Sequence, residues 1–423
     1  MKPGILLIIF LPLAAWGVLQ DIANTAKGGS IDLRNRVTGA RIAAAKLDPY
    51  SYKWKRGDPE EFCDIYNEPG GLLSKTTVTP WVLAAHAPFN SMNYRSTQWL
   101  WFFLQYGMIA AGALAWIKCQ SGGVVRWGIV LVLMYSVTPS WRHHVDHGQI
   151  YVVYAAMLLF LYWISQRTVS TGLAITEGVL GAFALGSRPT LLGQFVEPYK
   201  KRRWISLAGA GFGLVVVFVI PVLLFGPPIW NYYRWAMEAH SESYLLQMKP
   251  ARAAISYPGA IEGIPLDTIA GFSRTIPFAD TSIFRMISFN LPAKLTPLFW
   301  AILMGAALLY MAVRKVSTDL IWWAVAAWIM VGDFLLPAFR HTYNDVLALP
   351  MVLFGLSALS GRKGERAWIY LSASALILMI LSWWDKLPKS FLPVPSVAWF
   401  LLAVGGVVWA LVIAKNETSV TDK

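Results

Sequence analysis

Apolar runs long enough to cross a bilayer recur from one end of this 423-residue chain to the other, near residues 3–20, 98–118, 126–141, 149–166, 204–225, 293–313, 319–337, 343–360, 367–384 and 395–414. A hydrocarbon core about 30 Å thick takes roughly 20 apolar residues per helix, so the pattern predicts an all-α, polytopic membrane bundle with about ten full crossings. Charged residues make up only 14% of the chain against 56% hydrophobic, and they gather in short clusters between the runs. The formal charge of +13 therefore reads as membrane orientation, and nucleic acid is not an expected partner. Lipid is the expected surrounding.

Lys118 and Arg126, Arg167, the run Lys200-Lys201-Arg202-Arg203, Arg314 and Lys315, and Arg362, Lys363 and Arg366 fall on alternate connections. The positive-inside rule makes those loops cytoplasmic, together with both termini. This orientation places the protein in the plasma (inner) membrane, as a multi-pass protein whose polar groups face the periplasm or exterior. Met1 to Gln20 resembles a signal peptide but has no clear small-x-small cleavage site, and reads as a retained first helix. Cys63 and Cys119 fall on opposite faces, which argues against a disulfide.

Residues 172–199 are too long for one crossing and too short for two, with a break at Ser187-Arg188-Pro189. They read as a half-membrane hairpin whose broken turn is buried in protein or lines a cavity. Residues 21–97 and 226–292 form two long outward stretches. The first carries segments able to lie along the membrane surface as amphipathic helices, near 31–46 and 78–92. The expected division is an early module, 1–203, with loop 21–97 and the hairpin, followed by a late bundle, 204–423, with loop 226–292.

Three polar clusters stand out on the outer side, where all six histidines map. Ser30-Ile31-Asp32-Leu33-Arg34 puts a carboxylate near Arg34, Arg36 and Arg41, and such a carboxylate stays ionised and able to accept a proton. It is equally suited to cap the helix that begins there. Trp141-Arg142-His143-His144-Val145-Asp146-His147-Gly148-Gln149-Ile150-Tyr151 opens a spanning helix with donors for phosphate or sugar. A metal site at His143 and His147 has too few ligands in one turn. Phe339-Arg340-His341-Thr342-Tyr343-Asn344-Asp345 marks the outer end of a late helix, where Arg340 and His341 are able to meet a phosphate or to pair structurally with Asp345. Arg188, at the hairpin break, is a fourth candidate for a phosphate or a buried carboxylate.

With these clusters in this order, the chain resembles the GT-C superfamily of membrane glycosyltransferases, and within it glycosyltransferase family 87, whose members include polyprenyl-phosphate-mannose-dependent mannosyltransferases. The resemblance rests on Asp32 followed by a short helix and Asp48-Pro49-Tyr50, on Gly148-Gln149-Ile150-Tyr151, on Arg340-His341, and on Arg188-Pro189. Tyr151 stands where the family commonly has Asn, and Arg188 where it often has Lys.

The resemblance implies an inverting transfer of a sugar, mannose or another hexose or pentose, from a polyprenyl-phosphate donor to a hydroxyl of a lipid-linked or cell-envelope glycan. Asp32 would be the general base, and Arg188, Arg340 and His341 would hold the donor phosphate. Arg34, Arg41, Asp48, Tyr50, His144, His147, Gln149, Tyr151 and Tyr343 would contact sugar or acceptor. It implies neither metal nor cofactor, and the chain shows no Gly-rich phosphate loop. A transporter or flippase of lipid-linked glycans, and a surface-glycan ligase or polymerase, remain alternatives.

Overall fold

The computed structural model describes residues 3–64, 73–74, 76–167, 170–246, 295–314, 316–336, 340–381 and 394–421. Most of the outer stretch 226–292 thus lies outside the described residues. The described chain is all-helical, with sixteen α-helices. In order they are α1 (Pro3–Lys27), α2 (Ile31–Ala44), α3 (Pro80–His86), α4 (Tyr94–Ile117), α5 (Gly122–Ser136), α6 (Pro139–His147), α7 (Tyr151–Ser165) and α8 (Thr171–Ser187). There follow α9 (Val196–Lys200), α10 (Trp204–Phe225), α11 (Ile229–Leu246), α12 (Leu295–Val313), α13 (Thr318–Leu335), α14 (Ala348–Leu359), α15 (Glu365–Leu381) and α16 (Val394–Thr421).

Among the described residues six spans are long and apolar enough to cross a membrane, or seven if the bent pair α5–α6 is one span, against the ten runs of the sequence. The protein is an integral membrane protein by this measure. Part of the shortfall comes from breaks that hydropathy does not register, and the runs 293–313 and 367–384 extend into residues outside the described ones. α7, for example, is 15 residues long, about 22 Å of helix against a core of about 30 Å. Pro139, at the first position of α6 with Thr138 capping Trp141 N at 3.3 Å, turns what reads as one run into two helices bent by 61°.

The helices sort by what they face. α13 is buried along almost its whole length and packs against α14 and α16, with Trp322, Trp323 and Phe334 inside the largest apolar core. α1 and α10 expose Ile8, Trp16, Phe212 and Leu223 instead. Bare aliphatic and aromatic surface on that scale is compatible with hydrocarbon, not water.

Close helix approach is written in glycine. A Cβ on Gly178 of α8 would fall 1.9 Å from the Ser206 carbonyl oxygen of α10, so the two backbones meet there without intervening side chains. At Arg188 the chain leaves α8 in an extended conformation, enters a 3₁₀ segment, Pro189–Phe195, and runs back along α8. Gln194 Nε2 donates to the Gly181 carbonyl at 2.7 Å and satisfies part of the broken turn. The return ends near its start, where Lys201 Nζ donates to Ser165 O at 2.8 Å and Arg203 pairs with Glu177 at 2.9 Å.

Outside the spans, α2 and α3 pack together with His86 buried between them and α4. Burial, and then the charge of Arg36, push the His86 imidazole down from 6.5 to about 3. Its Nδ1 donates to Val82 O at 2.7 Å, which opposes that shift only in part, so the ring is neutral in the fold. The unfolded chain binds a proton below about 6.5 while the folded one refuses it until about 3. Stability from this site is therefore present above pH 6.5 and lost as pH falls toward 3. Denaturant midpoints measured from pH 7 to pH 4 are expected to fall for the wild type and to fall less for His86→Phe; equal slopes would reject the assignment.

Candidate active site

One end of the bundle brings together the turn between α1 and α2, the turn between α6 and α7, and a 3₁₀ segment, Thr342–Leu347, between α13 and α14. The first turn is built by Gly28, Gly29 and Ser30, all at positive φ. Ser30 N donates to Asp146 O, which seats the start of α2 on the end of α6. A Cβ at Gly29 would fall 2.9 Å from Asp146 Oδ1, so nothing larger than glycine fits this approach unchanged.

Asp32 lies in the first turn of α2, half-buried, and accepts a hydrogen bond from Gln149 Nε2. One helical turn on, Arg36 is buried and donates to Gly148 O while its charge acts on Asp32. The carboxylate thus sits between a neutral donor and a buried cation, an environment that favours the ionised form. Gly148 closes α6 at φ 64°, and a Cβ there would stand 2.8 Å from Leu33 Cβ and 3.1 Å from Ser30 Cβ. Gly148→Ala is expected to cost about 1–3 kcal/mol through left-handed strain and crowding, read from unfolding in detergent micelles.

Beside the carboxylate is an aromatic wall. The rings of His143, His147 and His341 stand 5.8–6.1 Å from one another. Tyr343 stacks on His341 at 4.4 Å and approaches both His147 and Tyr151. Tyr343 also interacts electrostatically with Asp32, which ties the wall to the carboxylate. Arg188, from the hairpin break, lies 4.9 Å above the Tyr151 ring. Burial, and then the neighbouring His143, hold the His341 imidazole down at about 3, so it is neutral near pH 7. Among the described residues no group of three or more His, Cys, Asp or Glu is arranged to hold a metal ion.

Behind the wall runs a buried ladder of alternating charge. Asp333, near the end of α13, pairs with Arg188 through Oδ1 and with Arg340 Nε through Oδ2 at 2.7 Å. Arg340 Nη2 reaches Asp345 Oδ1 at 2.5 Å, and Ser396 of α16 donates to the other Asp345 oxygen at 3.4 Å. Arg340 is 1% exposed and also covers the Phe334 ring at 3.6 Å. Two carboxylates occupy its guanidinium, so its hydrogen-bonding edge is spoken for inside the protein.

The structure thus gathers Asp32, His147, Gln149, Tyr151, Arg188, His341 and Tyr343 into one region. The other residues singled out by sequence are engaged locally. Arg34 stacks over Tyr94 at 4.1 Å, and Arg41 donates to Met92 O at 2.6 Å. Asp48 accepts from Tyr50 N and Ser51 Oγ in a tight turn, while the buried Tyr50 hydroxyl donates to Val78 O at 2.9 Å. His144 is fully buried against Trp141, where its Nε2 accepts from Val152 N at 3.1 Å and so tethers α6 to the start of α7.

Sequence reading placed Arg36 near Asp32 but gave it no site role, and it passed over Asp333. Arg36 had a signal, its place four residues after Asp32 on one helical face. Asp333 had a stronger one, a carboxylate inside an apolar span.

A helical membrane bundle with a carboxylate, neutral imidazoles and amide donors collected at one end, and with no nucleotide-binding domain among its described helices, has the build of a GT-C type membrane glycosyltransferase. Residues 77–257 match the model of glycosyltransferase family 87, and the chain is a glycosyltransferase carrying that domain. The matched stretch includes His147, Gln149, Tyr151 and Arg188, while Asp32, Arg340, His341 and Tyr343 lie outside it. No curated protein and no solved structure matches the chain significantly.

Proposed function

We propose that this glycosyltransferase moves a sugar from a polyprenyl-phosphate donor to an acceptor hydroxyl at the non-cytoplasmic face of the plasma membrane, with inversion at the anomeric carbon. The observation that carries the reading is Asp32 held by Gln149 beside the wall of His143, His147, His341 and Tyr343. Asp32 takes the acceptor proton as the acceptor oxygen bonds to C1, and the C1–O bond to the lipid phosphate breaks with its electron pair on phosphate. A phosphate leaves without acid assistance, so one carboxylate suffices.

His341 and Arg188 face the space in which that phosphate develops charge, His341 as a neutral donor and Arg188 as the cation above Tyr151. Arg340 acts on the phosphate through the ladder, by holding Asp333 and with it Arg188. His147, Gln149, Tyr151 and Tyr343 would line the sugar, with Tyr343 and Tyr151 offering ring faces to it. The acceptor is a lipid-linked or cell-envelope glycan.

The test is transfer by purified protein in proteoliposomes from radiolabelled polyprenyl-phosphate mannose, glucose and pentose, with a membrane glycolipid extract as acceptor. Incorporation from one of these donors and none from nucleotide sugars is the expected result. Movement of intact lipid-linked glycan across the bilayer without sugar transfer would overturn the reading in favour of a flippase.

A further inference from the structure

Thr342 opens the 3₁₀ segment between α13 and α14, and its hydroxyl stands between two imidazoles of the wall. Its Oγ1 lies 3.2 Å from Nδ1 of the preceding His341 and 3.4 Å from Nδ1 of His143, on α6 and 199 positions away. A β-branched side chain has little freedom at χ1, so this oxygen is held where both rings meet it. The third ring, His147, has its Nδ1 2.9 Å from His143 O. A carbonyl only accepts, so His147 Nδ1 carries a hydrogen, and Nε2 of the neutral ring is left with a lone pair.

A hydroxyl has one hydrogen, and a neutral imidazole has one N–H and one lone pair. When Thr342 donates to His341 Nδ1, the hydrogen of His341 is on Nε2, and His143 is the ring whose Nδ1 donates to Thr342. The reverse arrangement puts a lone pair on His341 Nε2. An anionic phosphate attracts the first and repels the second. We propose that Thr342 is a positioning residue for transfer: its hydroxyl fixes His341 as the Nε2–H tautomer and so makes that nitrogen the donor to the departing phosphate. This rests on the reading of His341 as a group that faces the phosphate. The same hydrogen bonds leave His143 and His147 with lone pairs at Nε2, which suit the hydroxyls of the transferred sugar. Three chemically identical rings thus divide into one donor and two acceptors. Thr342 acts through His341 and not on the reacting atoms.

The experiment labels the ring nitrogens of histidine in the full chain, in nanodiscs near pH 7, where their magnetic resonance signals show which nitrogen of each imidazole carries the hydrogen. The chain has six histidines, few enough to assign, with His341→Gln marking the signal of interest. Wild type is expected to hold the His341 hydrogen on Nε2. Thr342→Val keeps the shape and removes the hydroxyl. Its His341 ring is expected to divide between the two tautomers, and its kcat, with the polyprenyl-phosphate sugar that supports incorporation, to fall about tenfold while KM for that donor changes less. Thr342→Ser is expected to restore both. A hydrogen on Nδ1 of His341 in the wild type overturns the inference, and that result needs no variant to fold. So does a Thr342→Val protein in which either the tautomer or kcat stays as in the wild type. His341→Gln run alongside separates the two readings: transfer at the wild-type rate in it sinks the phosphate role of His341, whereas transfer lost in it with Thr342→Val unchanged sinks only the role of Thr342.

Discussion

Asp32→Asn is expected to lower sugar transfer by about 10²–10⁴-fold, the range that a positioned general base contributes, with little loss of fold. The amide is nearly isosteric with the carboxylate, and the half-buried position leaves room for it beside Gln149. Because the lost group acts on the acceptor proton in the transition state, the fall should appear in kcat with the apparent KM for the lipid donor little changed. Glycosyl transfer is followed with labelled donor, and folding by the unfolding midpoint in detergent. Transfer at the wild-type rate in a folded variant would move the base elsewhere and with it the whole assignment of this end of the bundle.

The second large effect lies in the buried ladder. Asp333→Ala removes the carboxylate that both Arg188 and Arg340 share, leaving the half-buried Arg188 and the buried Arg340 with only Asp345 between them. Removing one partner from a buried pair costs about 3–5 kcal/mol, because the remaining charge is dehydrated and uncompensated. The expected readout is a large drop in the unfolding midpoint, together with loss of transfer as Arg188 leaves its place above Tyr151. An Arg188→Met/Asp333→Leu double variant should recover most of the stability, since two apolar side chains of similar volume avoid the dehydration cost, without recovering transfer. Recovery of both would mean that Arg188 serves only the fold.

How much of this was legible in the sequence depended on whether the signal was local. The apolar runs marked α1, α4, α10 and α16 directly, because hydropathy averages over a window the length of a span. The same averaging carried the run 126–141 straight past Pro139, where the path bends from α5 into α6, and it gave α7 the standing of a crossing that its length of 15 residues does not support. Asp32 and Gln149 were visible as residues in suggestive places, but their meeting was not, since 117 positions separate them and the contact depends on the positive-φ turn at Gly28, Gly29 and Ser30. Asp48, Tyr50 and His144 were chosen for their chemistry, yet each completes a hydrogen bond that local backbone already demands.

The ladder has one more consequence, for the way the polypeptide is held together across its long connection. Arg188 belongs to the stretch before residues 247–294, and Asp333, Arg340 and Asp345 to the stretch after it. Of the ladder's charges, the leading stretch carries one positive and the trailing stretch two negatives against one positive. Within the ladder each piece holds the counter-ion the other lacks, so the two stretches are joined by charge as well as by the chain between them.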